Sequence, residues 1–345
     1  MASIVEVAKR AQVSVATVSR IMTGSSHPVS SATRSRVLAA AQALNYSPSA
    51  LAQAMVTRQT HIVAVIVGDA ADPYFAAIVR GVEDVARENG YLVVVANSDR
   101  VPEIEVAYLR TLNDYRVDGI VFAGGGLNHV EYVEATLAAL EAFRQRGAAV
   151  VTLGKHLFPS LSVHVDNWQI AWDATDYLIR LGHQRIAFIS GPPVLLTSEL
   201  RLNGYRAALQ HHGLTQQPAL EFDGDFTDEG GLRAAQAIAA LPERPTAALA
   251  SNDLTAIGCL MGLKRAGLCV PEDVSVMGID DITTTRYVDP PLTTVAIPMQ
   301  ALGATAMEQV LRLRKEGGIG AGDIRLPHAL VTRQSTAPPR RSAAT

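Results

Sequence analysis

Short hydroxyl side chains, small apolar side chains and one arginine alternate between positions 14 and 20. The methyl groups of Val15 and Ala16 suit contact with a thymine methyl, and Arg20, one helical turn beyond Ala16, can bond a guanine edge through two N–H groups. Three hydroxyls in the same stretch suit phosphate oxygens rather than bases, and they belong to Ser14, Thr17 and Ser19. For any single residue a solvated surface position is the simpler explanation, but the set at this spacing favours contact with duplex DNA.

A second group of polar and aromatic side chains follows three apolar runs that are typical of strands. Its members are Asp69, Asp72, Tyr74 and Phe75 after the run 62–67, Asn252 and Asp253 after 246–250, and Asp280 and Asp281 after 274–278. Because ligands of open α/β sheets bind beyond the carboxyl ends of the strands, these loops are candidates for a binding site. Carboxylates, amides and aromatic faces suit a small polyhydroxylated ligand, since each hydroxyl needs a partner once it leaves water.

Three short helices can position the first group. Apolar residues at helical spacing predict one helix over 4–11, a second that includes Val18, Ile21 and Met22, and a third over about 31–44. On the third helix the apolar side is expected to hold Val37, Leu38, Ala41 and Leu44. The link at 12–14 has the length that a helix-turn-helix uses, and Ser14 is a suitable cap for the second helix.

Charge is divided unevenly along the chain. The first sixty residues hold six basic residues against one acidic residue, Glu6, whereas the whole chain has 30 basic and 33 acidic residues. A basic segment on an acidic body indicates that the first sixty residues meet a polyanion, and a merely solvated basic face is the alternative.

The rest of the chain alternates apolar runs with helical patterns, which is typical of a parallel sheet with helices on both faces. The first series of runs lies at 62–67, 91–96, 119–123 and 148–153, and the second at 185–190, 221–222, 246–250 and 274–278. The predicted fold is therefore a helix-turn-helix head followed by two Rossmann-like α/β units in tandem.

Three strings carry a family resemblance: VSVATVSR at 13–20, VSSATR at 29–34 and LNYSP at 44–48. Together they resemble the LacI/GalR (lactose-repressor) family of bacterial transcription regulators, and the resemblance continues through nearly the whole chain. It implies a periplasmic-binding-protein-like bilobed effector domain, a homodimer and double-stranded operator DNA as partner. The implied function is a repressor whose operator affinity is controlled allosterically by a small polar metabolite, a sugar or sugar derivative. Gln12 departs from the pattern, since many members have glycine in that turn.

The resemblance also assigns DNA-binding roles. It implies that Val15 and Ala16 set operator preference and that two hinge helices near 49–55 pair in the minor groove, with Met55 as an apolar wedge where relatives usually carry leucine. A plain linker is the alternative for this stretch, which is too short to be a stable helix alone. The expected DNA-binding residues are Ser14, Val15, Ala16, Thr17, Ser19, Arg20, His27, Thr33, Tyr46, Leu51 and Met55.

Effector-binding residues are carried over in the same way, chiefly Arg201 in the string LRLNGY and Asp280 in GIDD. The full expected set is Asp69, Asp72, Phe75, Thr197, Arg201, Phe226, Asn252 and Asp280. A structural salt bridge is the alternative for Arg201, and core packing is the alternative for the phenylalanines. Departures from the family pattern at 124–126 (GGG), 154–156 (GKH) and Ile297 predict a ligand different from that of the best-known members.

The expected boundaries are a head at 1–46, a hinge at 47–59, an effector and dimerisation domain at 60–335, and a tail at 336–345. Within the effector domain we expect a first subdomain at about 60–158 and 291–320, and a second at about 159–290 and 321–335.

Two other classes of protein fit the sequence less well. A periplasmic-type sugar-binding protein without DNA function would begin with a signal peptide and lack the basic head, so we expect a cytoplasmic, nucleoid-associated protein that does not cross a membrane. An α/β enzyme is disfavoured because no HExxH, GxSxG or paired Cys/His pattern occurs. No cofactor or metal is expected, and Cys259 and Cys269 are interpreted as buried free thiols rather than a metal or redox pair.

Overall fold

The computed structural model describes residues 2–22, 27–47, 59–318 and 320–340. The chain divides into two compact units, Met1–His61 and Ile62–Thr345. Leu51, Met55 and the expected hinge helix lie outside the described residues. Within the described ranges, no helix is both long enough and apolar enough to span a bilayer.

In the described part of the first unit the helices are Ile4–Ala11 (α1), Val15–Met22 (α2) and Ser31–Ala43 (α3). Ser3 and Glu6 form a capping box at the start of α1, and the Ser30 hydroxyl accepts a hydrogen bond from the Thr33 amide at the start of α3. The side chains buried between the three helices are Val7, Ala8, Ala11, Val18, Ile21, Val37, Ala40 and Ala41.

One expected core position in this head is wrong. Leu38 is 48% exposed, and Ala40 is buried instead. Because successive helical residues are about 100° apart, the stripe through Val37, Ala40 and Ala41 turns Leu38 to the solvent side.

In the second unit, the first lobe is built on a six-stranded sheet. Its strands are Ile62–Val67 (β1), Leu92–Asn97 (β2), Gly119–Phe122 (β3), Ala149–Thr152 (β4), Leu161–His164 (β5) and Gly322–Arg325 (β11). Their order across the sheet is β11-β5-β4-β3-β1-β2, and every neighbouring pair is parallel. Alternate residues of β1 pack on opposite faces, which explains its continuous apolar run. The helices of this lobe are Pro73–Glu88 (α4), Pro102–Asp114 (α5), Val130–Gln145 (α6) and Met299–Glu316 (α11).

The second lobe is also built on a six-stranded sheet. Its strands are Ile186–Ser190 (β6), Glu221–Asp223 (β7), Ala247–Ala250 (β8), Ser275–Asp280 (β9), Thr293–Ala296 (β10) and Ala329–Val331 (β12). Their order across the sheet is β12-β10-β9-β8-β6-β7, and among these six strands β12 alone runs antiparallel to its neighbour. The helices of this lobe are Asn167–Arg180 (α7), Leu196–His211 (α8), Asp228–Ala240 (α9) and Asp253–Arg265 (α10). Cys259 on α10 is buried, but the expected burial of Cys269 is wrong, because it lies exposed in the loop after that helix.

The expected subdomain boundaries need correction. Strands β5 and β11 belong to the first sheet although 159–290 and 321–335 were assigned to the second subdomain, and β10 belongs to the second sheet although 291–320 was assigned to the first. The chain therefore changes lobes after β5, after β10 and after β11. After β5 the chain enters the second lobe and forms α7, which packs on that lobe. After β10 it returns to the first lobe and forms α11, which packs there.

The expected tail also starts too early. Ser335 is fully buried, the Thr336 hydroxyl lies 2.9 Å from that of Thr293, and the carbonyl of Ala337 lies 3.0 Å from Nε2 of His183. Arg340 reaches Asp273 at 3.0 Å. Residues 335–340 are thus a packed part of the second lobe.

Candidate functional site

The exposed side of α2 carries the residues expected to contact bases. Val18 and Ile21 are buried against the head core, which turns Val15, Ala16 and Arg20 outward. The Ser14 hydroxyl accepts a hydrogen bond from the Thr17 amide at 3.1 Å and so caps the helix. Helix α2 therefore presents two methyl-bearing side chains at its start and a guanidinium one turn later.

The remaining described head residues are distributed around this helix. Ser19 and Thr17 are half-buried, and His27 is exposed. Thr33 lies in the first turn of α3, where its hydroxyl accepts from Ser30 at 2.9 Å. Tyr46 is half-buried against the head core, and its amide donates to the Ala41 carbonyl at 2.9 Å. Exposed positive charges, which suit a phosphate backbone, belong to Lys9, Arg10, Arg20, Arg34 and Arg36.

In the second unit a cleft opens between the lobes, beyond the carboxyl ends of the strands. Seven of the eight expected effector residues line it: Asp72, Phe75, Thr197, Arg201, Phe226, Asn252 and Asp280. Asp69 does not line it. Its carboxylate accepts a hydrogen bond from the Ala71 amide at 2.9 Å, so this residue closes the loop after β1 instead.

Arg201 and Asp280 face each other in the cleft without a direct hydrogen bond. Both are 4% exposed, and Nη2 of Arg201 lies 3.6 Å from Oδ1 of Asp280. Arg201 is held instead by Asn167 Oδ1, which accepts from its Nε at 2.8 Å, and by the carbonyl of Ser251. Among the described residues, Oδ1 of Asp280 has no hydrogen-bond partner. Arg201 and Asp280 thus form a loose ion pair in which one carboxylate oxygen has no hydrogen bond from the described part of the chain.

Burial and charge set the ionisation of Asp280. Removal from water raises the pKa of its carboxyl well above the usual range, and the neighbouring Arg201 guanidinium offsets only part of that rise. A ligand that donates a hydrogen bond to Oδ1 would satisfy an acceptor that the protein leaves without a donor.

The aromatic rings of the cleft lie beside guanidinium groups. The Arg100 carbon Cζ lies 5.8 Å from the ring centroid of Phe75 and 6.0 Å from that of Phe226, and Arg201 Cζ lies 6.0 Å from Phe226. Asn252 Nδ2 donates to the Phe226 carbonyl at 3.1 Å, and its Oδ1 accepts from the Thr255 amide at 3.0 Å. The side-chain amide of Asn252 therefore fixes the loop that carries Phe226 and caps the N-terminus of α10.

Several cleft residues lie outside the expected effector set. Ser98, Arg100 and Glu105 follow β2 and line the same cleft, as does His156 after β4. The rule that directs attention to the ends of parallel strands would have found the residues after β2 as well.

His156 is a half-buried, neutral member of the wall. Its ring lies 5.6 Å from that of Phe122 and 4.9 Å from that of Phe158. Burial lowers the pKa of this imidazole to about 4, since the protonated form would lose its hydration.

The glycine-rich loop at 124–126 touches the second lobe. Asn128 N donates to Val194 O at 2.7 Å, and Leu196 N donates to Gly126 O at 3.0 Å. A Cβ at Gly125 would lie 2.1 Å from Oγ1 of Thr197. The departure from the family pattern at this loop thus allows close backbone approach between the lobes.

Comparison with known proteins finds a family match for each of the two units. Residues 3–49 match the family model of bacterial regulatory proteins of the lacI family, and residues 175–336 match a periplasmic binding protein-like domain. The HTH-type transcriptional repressor CytR of Escherichia coli strain K12 is 36% identical over 338 residues, which are 97% of this chain and 96% of that protein.

Solved structures give the same result. The Lac repressor dimer bound to operator and the anti-inducer ONPF matches with a TM-score of 0.86 at 29% identity, over 97% of this chain and 99% of that one. A LacI family transcriptional regulator from Enterococcus faecium with bound ribose matches with a TM-score of 0.71 at 28% identity, over 80% of this chain and 99% of that one.

A helix-turn-helix head and a bilobed ligand cleft in one chain define a ligand-responsive, DNA-binding transcriptional regulator. Its relatives are regulators rather than enzymes. The chain belongs to the lacI family of bacterial regulatory proteins.

Proposed function

We propose that this protein is a homodimeric repressor whose two heads bind the halves of a pseudo-palindromic operator, and whose operator affinity changes when a sugar or sugar derivative binds in the cleft. The observation that carries the proposal is the exposed face of α2, with Val15, Ala16 and Arg20 outward on a helix-turn-helix. In the related Lac repressor structure a dimer is bound to operator.

In this proposal Val15 and Ala16 contact thymine methyl groups, and Arg20 bonds a guanine edge. The hydroxyls of Ser14, Thr17, Ser19 and Thr33, together with His27 and Tyr46, contact the sugar-phosphate backbone and fix the register of the head. Leu51 and Met55 act in the minor groove at the operator centre.

The dimer is proposed to form through the edge of the first lobe. Strand β2 ends the first sheet, and its apolar side chains remain exposed: Leu92 by 62%, Val94 by 39% and Val95 by 41%. An unpartnered apolar edge strand is a liability in a monomer, and a second copy would cover it.

The proposed ligand class follows from the cleft. Arg201 and Asp280 offer a donor and an unfilled acceptor, and the rings of Phe75 and Phe226 can pack on the apolar face of a sugar ring. The related Enterococcus faecium regulator holds ribose. Ligand binding would shift the population between two arrangements of the lobes, to the extent that its affinity for them differs.

Operator binding tests the proposal. Sheared genomic DNA is captured by the full chain at low salt and sequenced, and the recovered site is used in anisotropy titrations. We expect a pseudo-palindromic site and a steep loss of affinity with rising salt.

Arg20→Ala should weaken binding about tenfold or more, because a bidentate arginine–guanine pair contributes about 1–3 kcal/mol. Arg244→Ala removes the same charge from an exposed position on the body and is the control. Recovery of no common site, or equal affinities of the two variants, would refute the proposal.

A further inference from the structure

Glu105 is a buried carboxylate in the wall of the cleft, on the apolar side of helix α5. It is 9% exposed and shares that side with Val106, Leu109 and Leu112, whereas Glu103 of the same helix is exposed. Burying a carboxylate is costly unless it is paired and hydrogen-bonded. An apolar side chain would serve packing better at this position, so the carboxylate calls for another explanation.

The surroundings of Glu105 hold two hydroxyl groups that stabilise its carboxylate, those of Tyr132 and Ser98, and no ion-pair partner among the described residues. The Tyr132 hydroxyl, 3% exposed, donates to Oε1 of Glu105. Among the described residues no Lys, Arg or His side chain forms an ion pair with Glu105. The other two carboxylates of the cleft do face cations, since Asp72 lies 3.9 Å from Arg100 and Asp280 lies 3.6 Å from Arg201.

Acceptor capacity therefore remains on Glu105, which lines the cleft. A carboxylate offers about four lone-pair directions, and the hydroxyls of Tyr132 and Ser98 use two of them. The wall of the cleft is otherwise partly apolar, with Ile66 and Phe122, and partly polar, with Thr197.

The charges of the cleft point to the kind of molecule that fits. Three carboxyl groups, from Asp72, Glu105 and Asp280, face two guanidinium groups, from Arg100 and Arg201. Burial raises the pKa of Glu105, and the hydroxyls of Tyr132 and Ser98 offset part of that rise by stabilising the charged form. In its charged form this carboxyl group would repel a phosphate or carboxylate group on a ligand and attract an N–H or O–H donor.

We propose that Glu105 binds the effector directly, by accepting a hydrogen bond from an O–H or N–H group, and that it makes the cleft select an uncharged or amino-bearing sugar derivative over an anionic one. This inference rests on the proposed effector function of the cleft. It adds a specificity-determining residue from the first lobe to the pair Arg201 and Asp280 on the second.

Matched pairs of compounds test the inference by calorimetry on the full chain. The pairs are D-ribose with D-ribose 5-phosphate, adenosine with adenosine 5′-monophosphate, and D-glucosamine with D-glucuronate. We expect the wild-type protein to bind the uncharged or amino-bearing member of at least one pair ten or more times as tightly as its anionic partner. Glu105→Gln should reduce that preference severalfold, because the amide removes the charge while keeping one acceptor.

A second variant separates recognition from folding. Glu105→Leu combined with Tyr132→Phe removes the carboxylate without leaving the tyrosine hydroxyl unpaired, and should weaken binding of the preferred compound tenfold or more. Glu103→Gln, exposed on the same helix, should leave affinity unchanged. Circular dichroism and a urea unfolding midpoint equal to those of the wild-type protein would show that the effector unit of the variants is folded.

The outcomes distinguish this inference from the proposed function. If Arg201→Ala abolishes ligand binding while both Glu105 variants keep wild-type affinity and preference, the cleft binds effector without Glu105 and the inference is wrong. Tighter binding of an anionic partner by the wild-type protein also overturns it. Binding of none of the six compounds would overturn both the inference and the sugar assignment, whereas operator binding would still stand on its own test.

Discussion

Gln12 ends helix α1 in a left-handed backbone conformation, with φ of 53° and ψ of 50°. Its amide donates to carbonyls of the last turn, so the conformation completes the helix end that leads into α2. A side chain in this region costs about 1 kcal/mol or more relative to glycine, which adopts it freely.

Gln12→Gly is therefore expected to stabilise the head by about 0.5–1 kcal/mol, after allowance for the greater entropy of glycine in the unfolded chain. Slower amide hydrogen exchange in α1 would measure the gain. Ala39→Gly, at an exposed position inside α3, should have the opposite effect because glycine weakens a helix interior. Faster exchange in the Gln12 variant would contradict the prediction.

Protonation of His156 makes the free energy of unfolding depend on pH. Its pKa is about 4 in the folded protein, below the usual value of 6.5. The unfolded chain therefore binds the proton first, and stability is lost as pH falls from about 6.5 towards 4. The loss attributable to this residue is about 3 kcal/mol at pH 4.

Urea unfolding of the wild-type protein and His156→Gln at pH 7 and pH 4 measures this contribution. The variant should lose about 3 kcal/mol less than the wild-type protein over that interval, since its side chain does not titrate. Other buried acids, including Glu105 and Asp280, are common to both proteins and cancel in the difference. Equal losses would show that His156 is not the group responsible.

Sequence reasoning identified individual residues unevenly. Arg201 and Asp280 were found through short family strings, and the cleft does bring them together. Glu105 and Arg100 were missed because they follow β2, whose loop carries no such string. Asp69 was assigned to the cleft by its position after β1, yet its carboxylate turns to its own loop. Adjacency along the chain places a residue near a site without fixing the direction of its side chain.

Strand β2 is the element on which the proposed dimer depends. It lies at one end of the first sheet and exposes Leu92, Val94 and Val95. Leu92→Glu should place a charge in the proposed dimer contact and shift the protein towards monomers, with at least a tenfold increase in the dimer dissociation constant. Sedimentation velocity across a concentration series measures it.

Leu137→Glu is the control for this element, because Leu137 is also a partly exposed leucine, 42% accessible, but lies on helix α6. Monomers from both substitutions would indicate general damage to the lobe. A Leu92 variant that remains dimeric would place the contact elsewhere.

The bounds of elements with strong apolar patterns were predicted nearly to the residue, whereas strands with weak apolar patterns were not predicted. The run IVAVIV is β1 over the expected range because both of its faces are buried. Strand β5 has four residues and β11 has the sequence GDIR with three exposed positions, so neither produces a recognisable period. These two strands are paired with each other at the edge of the first sheet, and their omission caused the misplaced lobe boundaries.

The two lobes of the whole effector unit meet through main-chain hydrogen bonds at Gly126 and Asn128 and through the side chains that face across the cleft. Arg201 belongs to the second lobe and holds Asn167, Ser251 and Asp280 around it. Arg201→Ala is expected to preserve operator binding while abolishing the change in operator affinity that effector produces. The head does not require Arg201, whereas ligand recognition does.

Titration of the operator complex with a compound that binds the wild-type protein measures this uncoupling by gel shift. Arg180→Ala, which removes an exposed arginine of α7 with 73% side-chain accessibility, should retain the full response. An undiminished response in the Arg201 variant would remove that residue from effector recognition.

The packing of residues 335–340 on the second lobe, together with the late strands β11 and β12, bears on how the protein is synthesised. The first sheet has all its strands only when translation has passed Arg325, and the second only when it has passed Val331. The packing of residues 335–340 on the second lobe is complete only when Arg340 has emerged from the ribosome. The head, whose core comes entirely from residues made at the start, can fold long before that. A nascent chain halted by a premature stop near position 320 would thus carry a finished head on an unfinished effector unit.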